Sequence, residues 1–219
     1  MISRKKILEM IESGESINVE FKQRFSSHEK IAKEMIAFAN TRGGFLLIGI
    51  DDDKSIYGIE SEKSDTDLII ETAEKFCEPK IDYSVSCISI NNKDILCVEV
   101  FESQNKPHRI QDYKKSLDLN SAQVYVRIND KSVLASKEMI KILQTQSSGQ
   151  SLKHYQVGKE EKIVFDYLDK HEKITVKELG KIANISDRRA SRTLIKLVRA
   201  NLLLIHIKDN GESYFTYVG

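Results

Sequence analysis

Hydrophobic positions along the chain recur with two periods, and the switches between them outline the elements. Ile7, Leu8 and Ile11 share a helical face behind the capping residue Ser3, and Gly14 closes that helix. Ile17, Val19 and Phe21 then alternate with Asn18, Glu20 and Lys22, which predicts a half-buried strand with Glu20 and Lys22 on its polar face. Residues 29–41 return to the helical period, with Ile31, Met35, Phe38 and Ala39 on one stripe and Gly43 at the C-cap. A continuous apolar run of strand length covers 45–50, followed by the acidic turn Asp51-Asp52-Asp53-Lys54 and a short return strand over 56–59. Ser64 is expected to cap a helix carrying Leu68, Ile69 and Phe76, ended by Pro79. Strands over 81–90 and 94–101 flank the turn Asn91-Asn92-Lys93-Asp94, and a strand over 124–128 precedes a helix over 136–143. This half predicts an α+β domain with a mixed or largely antiparallel sheet.

The run Gln144-Thr145-Gln146-Ser147-Ser148-Gly149-Gln150-Ser151 loses apolar periodicity and reads as a linker. Beyond it the pattern is more regular. Ile163, Val164, Tyr167 and Leu168 form one helical face, and Thr175 with Glu178 has the spacing of a capping box for a short second helix carrying Leu179 and Ile182. After Ala183-Asn184-Ile185, Ser186 caps a third helix over 187–200. Alternating runs over 202–207 and 213–218 flank Asp209-Asn210-Gly211-Glu212, whose Asn-Gly predicts a hairpin. Helix, short helix, tight turn, helix, hairpin is the order of a winged helix-turn-helix. The expected organisation is therefore a domain over 1–146, a linker over 147–159 and a winged helix-turn-helix over 160–219.

Composition narrows the class. The 219 residues are 40% hydrophobic and 31% charged, a globular balance, and no apolar run reaches the ~18 residues that span a bilayer. The first residues lack the apolar core of a secretory signal, so a cytoplasmic protein is expected. Cys77, Cys87 and Cys97 form no CxxC and are expected to be reduced, and the scattered histidines do not suggest a zinc site.

Net charge is +1, from 34 Lys+Arg against 33 Asp+Glu, which at first argues against a polyanionic partner. Residues 1–146, however, carry 21 against 24, a net of −3, and residues 147–219 carry 13 against 9, a net of +4. The third helix of the second half concentrates that charge. Ala190, Leu194, Leu197 and Val198 form its apolar side, leaving Arg188, Arg189, Ser191, Arg192, Thr193, Lys196 and Arg199 as the groove-facing set. The predicted wing adds only Lys208 between acidic neighbours. The alternative is a solvated charged face on a winged helix used for protein contacts.

In the first half the segments Glu15-Ser16-Ile17-Asn18-Val19-Glu20-Phe21-Lys22, Ala37-Phe38-Ala39-Asn40-Thr41-Arg42-Gly43-Gly44 and Leu47-Ile48-Gly49-Ile50-Asp51-Asp52 occur in an order that resembles the Schlafen-type AlbA-like domain. Lys106-Pro107-His108 and Tyr125-Val126-Arg127-Ile128-Asn129 extend the resemblance over about residues 5–145. Labels for such proteins also mention ATP binding, but the chain has no GxxxxGK[ST]. In ribonucleolytic Schlafen proteins the matching acids form a metal site, so the resemblance implies Glu15, Glu20 and Asp52 as ligands of Mg²⁺ or Mn²⁺, with Lys22 on the scissile phosphate. Glu15 and Glu20 are five apart, which puts them on opposite faces of a regular strand, so they converge only if 14–16 is a loop or bulge. The plain alternative is a Glu20–Lys22 surface pair and an ordinary Asp turn. Arg42, Lys106, His108, Arg109 and Arg127 are further candidates for phosphate contacts, against the plainer reading of solvated surface residues, and Asn40 either bonds its turn or approaches a ligand.

These readings converge on a prokaryotic nucleic-acid-binding protein, a DNA-binding (or RNA-binding) transcriptional regulator, expected to act as a homodimer because one winged helix reads only a half-site. A metal-dependent endonuclease acting on RNA or single-stranded DNA is the alternative, and a protein-interaction adaptor is a third class.

Overall fold

Ser3 accepts the Lys6 amide and starts α1 (Arg4–Ser13), the first element of a computed structural model that describes residues 2–147 and 157–218. The helix buries Ile7 and Ile11, leaves Leu8 exposed, and ends at Gly14, whose φ of +88° only glycine adopts without strain. There follow β1 (Val19–Lys22), α2 (His28–Asn40), β2 (Gly44–Ile48), α3 (Glu62–Lys75), β3 (Cys77–Glu78), β4 (Tyr83–Ile90), β5 (Lys93–Val100), β6 (Arg109–Ile110), β7 (Tyr125–Ile128) and β8 (Lys131–Leu134). These elements make the first of two compact units, Met1–Leu134 and Ala135–Gly219.

The main sheet runs β1-β2-β5-β4, with β1 and β2 parallel and the other neighbours antiparallel, so it is mixed. Alternation sends Phe45 and Leu47 of β2 to one face with Ile7, Ile11, Val19, Phe21, Ile95 and Cys97. Leu46 and Ile48 point the other way, into a core with Ile31, Met35 and Phe38 of α2, Ile69 of α3, and Leu96 and Val98 of β5. Helices therefore cover both faces of the sheet. The β4–β5 hairpin turns on Asn91 and Asn92, both with positive φ, as a two-residue turn matched to strand twist requires. Gly44 lets β2 start under α2, because a Cβ there would lie 2.3 Å from the Phe38 ring.

The α+β class with a mixed sheet is as expected, and four local expectations change. Ile17 is exposed and Glu20 buried, because the Glu20 face of β1 is itself covered and Ile17 lies in the turn before the strand. The return strand over 56–59 reduces to one bridge, Ile50 to Ile56, with the Tyr57 and Gly58 amides both donating to Gly49 O. Helix α3 is capped by Ser61, which accepts from the Ser64 amide, so Ser64 sits inside the helix. The strand over 124–128 is one arm of a hairpin whose second arm, β8, the polar sequence there did not announce.

The second unit contains α4 (Lys137–Ser147), α5 (Lys159–Leu168), α6 (Val176–Ile182), α7 (Asp187–Arg199), β9 (Leu203–Ile207) and β10 (Ser213–Tyr217). Helix α4 runs through Gln144–Ser147, where a linker was expected, and it belongs to this unit rather than to the first. Residues 148–156 of the expected linker lie outside the described residues. The Thr175/Glu178 capping box forms, with the Thr175 amide donating to Glu178 Oε2 at 2.7 Å, and Ser186 caps α7. Val164, Leu168, Leu179, Ala190, Leu194, Leu197, Leu203 and Phe215 form one core, while Ile182 is exposed. Between α6 and α7 the chain turns on Asn184 (φ +50°), and a Cβ on Gly180 would crowd Ile185 O at 3.2 Å. Strands β9 and β10 pair antiparallel from Ser213–Ile207 to Tyr217–Leu203.

Candidate functional site

Helix α7 carries three faces. Ala190, Leu194 and Leu197 recur at helical spacing into the core of the unit. Ser191 and Ile195 form a second buried line, and α4 packs on α7, with Ser191 Oγ donating to Glu138 Oε1 at 2.7 Å. The third face is exposed and basic: Arg188, Arg189, Arg192 and Lys196.

Two members of the expected groove-facing set are therefore corrected. Ser191 is covered because α4, placed by its composition in the first domain, docks on α7. Thr193 is buried and donates to Arg189 O at 3.2 Å. Of the basic residues, Arg189 is ion-paired with Glu160 at the start of α5, whereas Arg188, Arg192 and Lys196 have no acidic partner among the described residues. Lys208 pairs with Glu212 at 3.2 Å across the hairpin turn.

The second candidate is the corner where α1 leads into β1. Gly14 to Val19 is a loop closed by Ser16 N–H to Val19 O, so the condition for Glu15 to fold back beside β1 is met. Glu15 Oε1 accepts the Phe21 amide at 2.9 Å and so satisfies the outer edge of β1. Burial raises the Glu15 carboxyl above its usual range, opposed by the Phe21 amide and reinforced by the negative charges of Glu20 and Asp52.

Glu20 points toward α2 and is held there. One of its oxygens accepts from Lys22 Nζ and the other from Arg127 Nη1, the latter at 2.8 Å. Arg127 also reaches Glu34 Oε2 at 3.2 Å, and Ser132 donates to the same Glu34 oxygen. Asp52 is exposed in the turn, where its amide donates to Asp51 Oδ1 at 2.9 Å.

Glu15, Glu20 and Lys22 are thus brought together, but not as a metal centre. Among the described residues no group of three or more His, Cys, Asp or Glu side chains is arranged to hold a metal ion. The donor chemistry agrees, because Glu20 already accepts two cationic donors and Glu15 an amide. The residues present do not fit Mg²⁺ or Mn²⁺, and the expected Glu15, Glu20 and Asp52 ligand set is corrected on that ground.

The proposed surface cations of this unit are mostly interior. Lys106, His108, Arg109 and Arg127 are all buried, and only Arg42 is exposed. Lys106 bonds Thr41 O and Glu102, and Arg109 pairs with Glu78 at 2.8 Å. His108 Nδ1 meets Pro79 O at 2.8 Å while its buried Nε2 has no hydrogen-bond partner among the described residues, and burial lowers its pKa below the usual imidazole value.

Asn40, 2% exposed, resolves as a clamp rather than a ligand contact. Its amide donates to His108 O and Tyr125 O, each at 2.9 Å, and its oxygen accepts the His108 amide at 2.7 Å. A polar residue ending an otherwise apolar helix stripe was the one local signal of this role. Cys77 and Cys97 are buried free thiols, both pushed up to about 12 by desolvation. No helix among the described residues is long and apolar enough to cross a membrane.

The model of the family described as Schlafen, AlbA_2 matches residues 15–136. Among solved structures, the N-terminal domain of a RecG-related protein from Nitrosomonas europaea is similar at 26% identity and a TM-score of 0.41, over 53% of this chain and 84% of that one. The DIP2311 protein from Corynebacterium diphtheriae is similar at 18% identity and a TM-score of 0.49 over 98% of this chain, which spans 39% of that one.

Proposed function

The chain belongs to the Schlafen AlbA_2 family, and we propose that it is a nucleic-acid-binding protein, a DNA-binding transcriptional regulator whose residues 160–219 work as a winged helix-turn-helix. The observation that carries this reading is the exposed face of α7, where Arg188, Arg192 and Lys196 stand at four-residue spacing opposite a fully buried apolar stripe. Cations on one helical face neutralise phosphates and reach guanine edges in the major groove. The α6–turn–α7 geometry supports it, since Gly180 and Asn184 allow the close approach a helix-turn-helix requires. In this reading the β9–β10 hairpin serves as the wing, but its Lys208 is paired with Glu212, so α7 carries most of the affinity. Action as a homodimer on two half-sites about 34 Å apart follows from the short reach of one recognition helix.

Fluorescence anisotropy of the full chain on a labelled duplex tests the reading. Arg188→Ala with Arg192→Ala is expected to weaken binding by roughly tenfold or more at low salt. Equal affinity of the double variant and the parent overturns it, and preference for single-stranded RNA over duplex redirects it to another nucleic acid.

A further inference from the structure

Arg127 sits at the centre of an oxygen cage. Its side chain is completely buried. Nη1 donates to Glu20 Oε2 at 2.8 Å, Glu34 Oε2 at 3.2 Å and Ser132 Oγ at 3.2 Å. Nη2 donates to Ser16 O at 2.6 Å and Val19 O at 3.4 Å, and Nε to Ile17 O at 3.4 Å. The guanidinium carbon stands 4.8 Å from the Phe38 ring centroid, so an aromatic face closes the remaining side. Two carboxylates, three carbonyls and a hydroxyl are the donor set a hard divalent cation takes, yet every one of them here accepts from the same planar cation.

We propose that Arg127 is the resident cation of this corner, and that it stands in place of a divalent ion, so that the chain binds no Mg²⁺ or Mn²⁺ through Glu15, Glu20 and Asp52. Within the cage itself the charges balance: Glu20 and Glu34 supply two negative charges, and Arg127 and Lys22 supply two positive ones, while Glu15 and Asp52 add their negative charge outside it. A divalent ion on Glu20 would compete with these two resident cations. Arg127 cannot withdraw without taking a donor from the carbonyls of Ser16, Ile17 and Val19, and it would leave Glu20 with Lys22 as its one cation and Glu34 with the Ser132 hydroxyl. A divalent ion on that Glu20 oxygen would also stand close to the Arg127 guanidinium, and the repulsion between the two cations disfavours ligation there. What the cage does instead is mechanical: it ties the Ser16–Val19 turn to β7, α2 and Ser132, and so fixes the edge strand β1. This inference is independent of whether α7 binds nucleic acid.

The test is a titration of the full chain with Mn²⁺, followed by loss of the free-ion EPR signal. The expected result is no saturable site tighter than roughly 1 mM that depends on Glu15, Glu20 or Asp52. Saturable one-to-one binding below that value, weakened by Glu15→Gln or Asp52→Asn, overturns the proposal; tighter binding unmoved by those variants and by Glu20→Gln lies elsewhere and leaves it standing. A second measurement uses Arg127→Gln, which keeps hydrogen-bond donors but removes the charge. It is expected to melt lower than the parent, and added Mn²⁺ is expected to raise its melting temperature while leaving that of the parent unchanged. If Arg127→Gln does not fold, the parent titration alone decides; a parent melting temperature that rises with Mn²⁺ and stops rising in Asn-substituted Asp52 contradicts the proposal.

Discussion

Replacing Asn40 with alanine removes three hydrogen bonds at once. The lost partners are His108 O, Tyr125 O and the His108 amide, which lie 68 and 85 residues further along the chain. The two bonds to His108 are buried and the one to Tyr125 partly so, and Asn40 itself is 2% exposed, so water replaces the side chain poorly. At a net value of about 1 kcal/mol per bond the substitution costs about 3 kcal/mol. For a unit of this size that corresponds to a fall of roughly 10 °C in melting temperature. Asn40→Asp keeps the acceptor for the His108 amide but points an anion at two carbonyls, and is expected to be worse than alanine. Arg42→Ala, two residues on and exposed, is expected to change stability by less than about 0.5 kcal/mol. Calorimetry of the full chain gives the melting shift, and hydrogen exchange at the His108 amide locates it. An Asn40→Ala protein that melts within about 2 °C of the parent, with the His108 amide still protected, would refute the clamp.

Two further outcomes follow from single side chains. His108 has its folded pKa lowered by burial, so the unfolded chain takes up a proton that the native state resists. The stability it contributes is fully present above the unfolded value of about 6.5 and is lost as pH falls through the folded value, at up to about 1.4 kcal/mol per pH unit. Urea melts from pH 7.5 downward show that slope in the parent, and His108→Gln removes it; an unchanged slope in the variant contradicts the assignment. Ser191→Ala takes the hydrogen bond from Glu138 and is expected to cost about 1 kcal/mol of stability in the second unit while leaving duplex affinity within about twofold, because Ser191 faces α4. A loss of affinity as large as that of Arg192→Ala would return Ser191 to the binding face.

Much of the fold was legible because its signals are local. The Thr175/Glu178 capping box, the Ser186 cap and the apolar stripe Ala190, Leu194, Leu197 of α7 each depend on residues within one or two helical turns. The failures share a cause of the opposite kind. Arg127 reads as a surface cation because its partners Glu20, Glu34 and Ser16 lie 93 to 111 residues away. Glu20 reads as solvent-facing because alternation assumes one wet face, whereas helices cover both faces of this sheet. Ser191 reads as groove-facing because the polar tail Gln144 to Ser147 looks like a linker and so assigns the helix over 136–143 to the first domain, whereas α4 covers part of α7. The exposed cations Arg188, Arg192 and Lys196, by contrast, needed only the period of α7 to be placed.

The most direct test of the central claim is the salt dependence of duplex binding by the full chain. With Arg188, Arg192 and Lys196 each neutralising a phosphate, the logarithm of the association constant should fall with the logarithm of salt concentration at a slope of about −3 per bound protomer, and Arg188→Ala with Arg192→Ala should reduce it to about −1 per protomer. A slope near zero, or one that the double variant leaves unchanged, contradicts a nucleic-acid interface on α7.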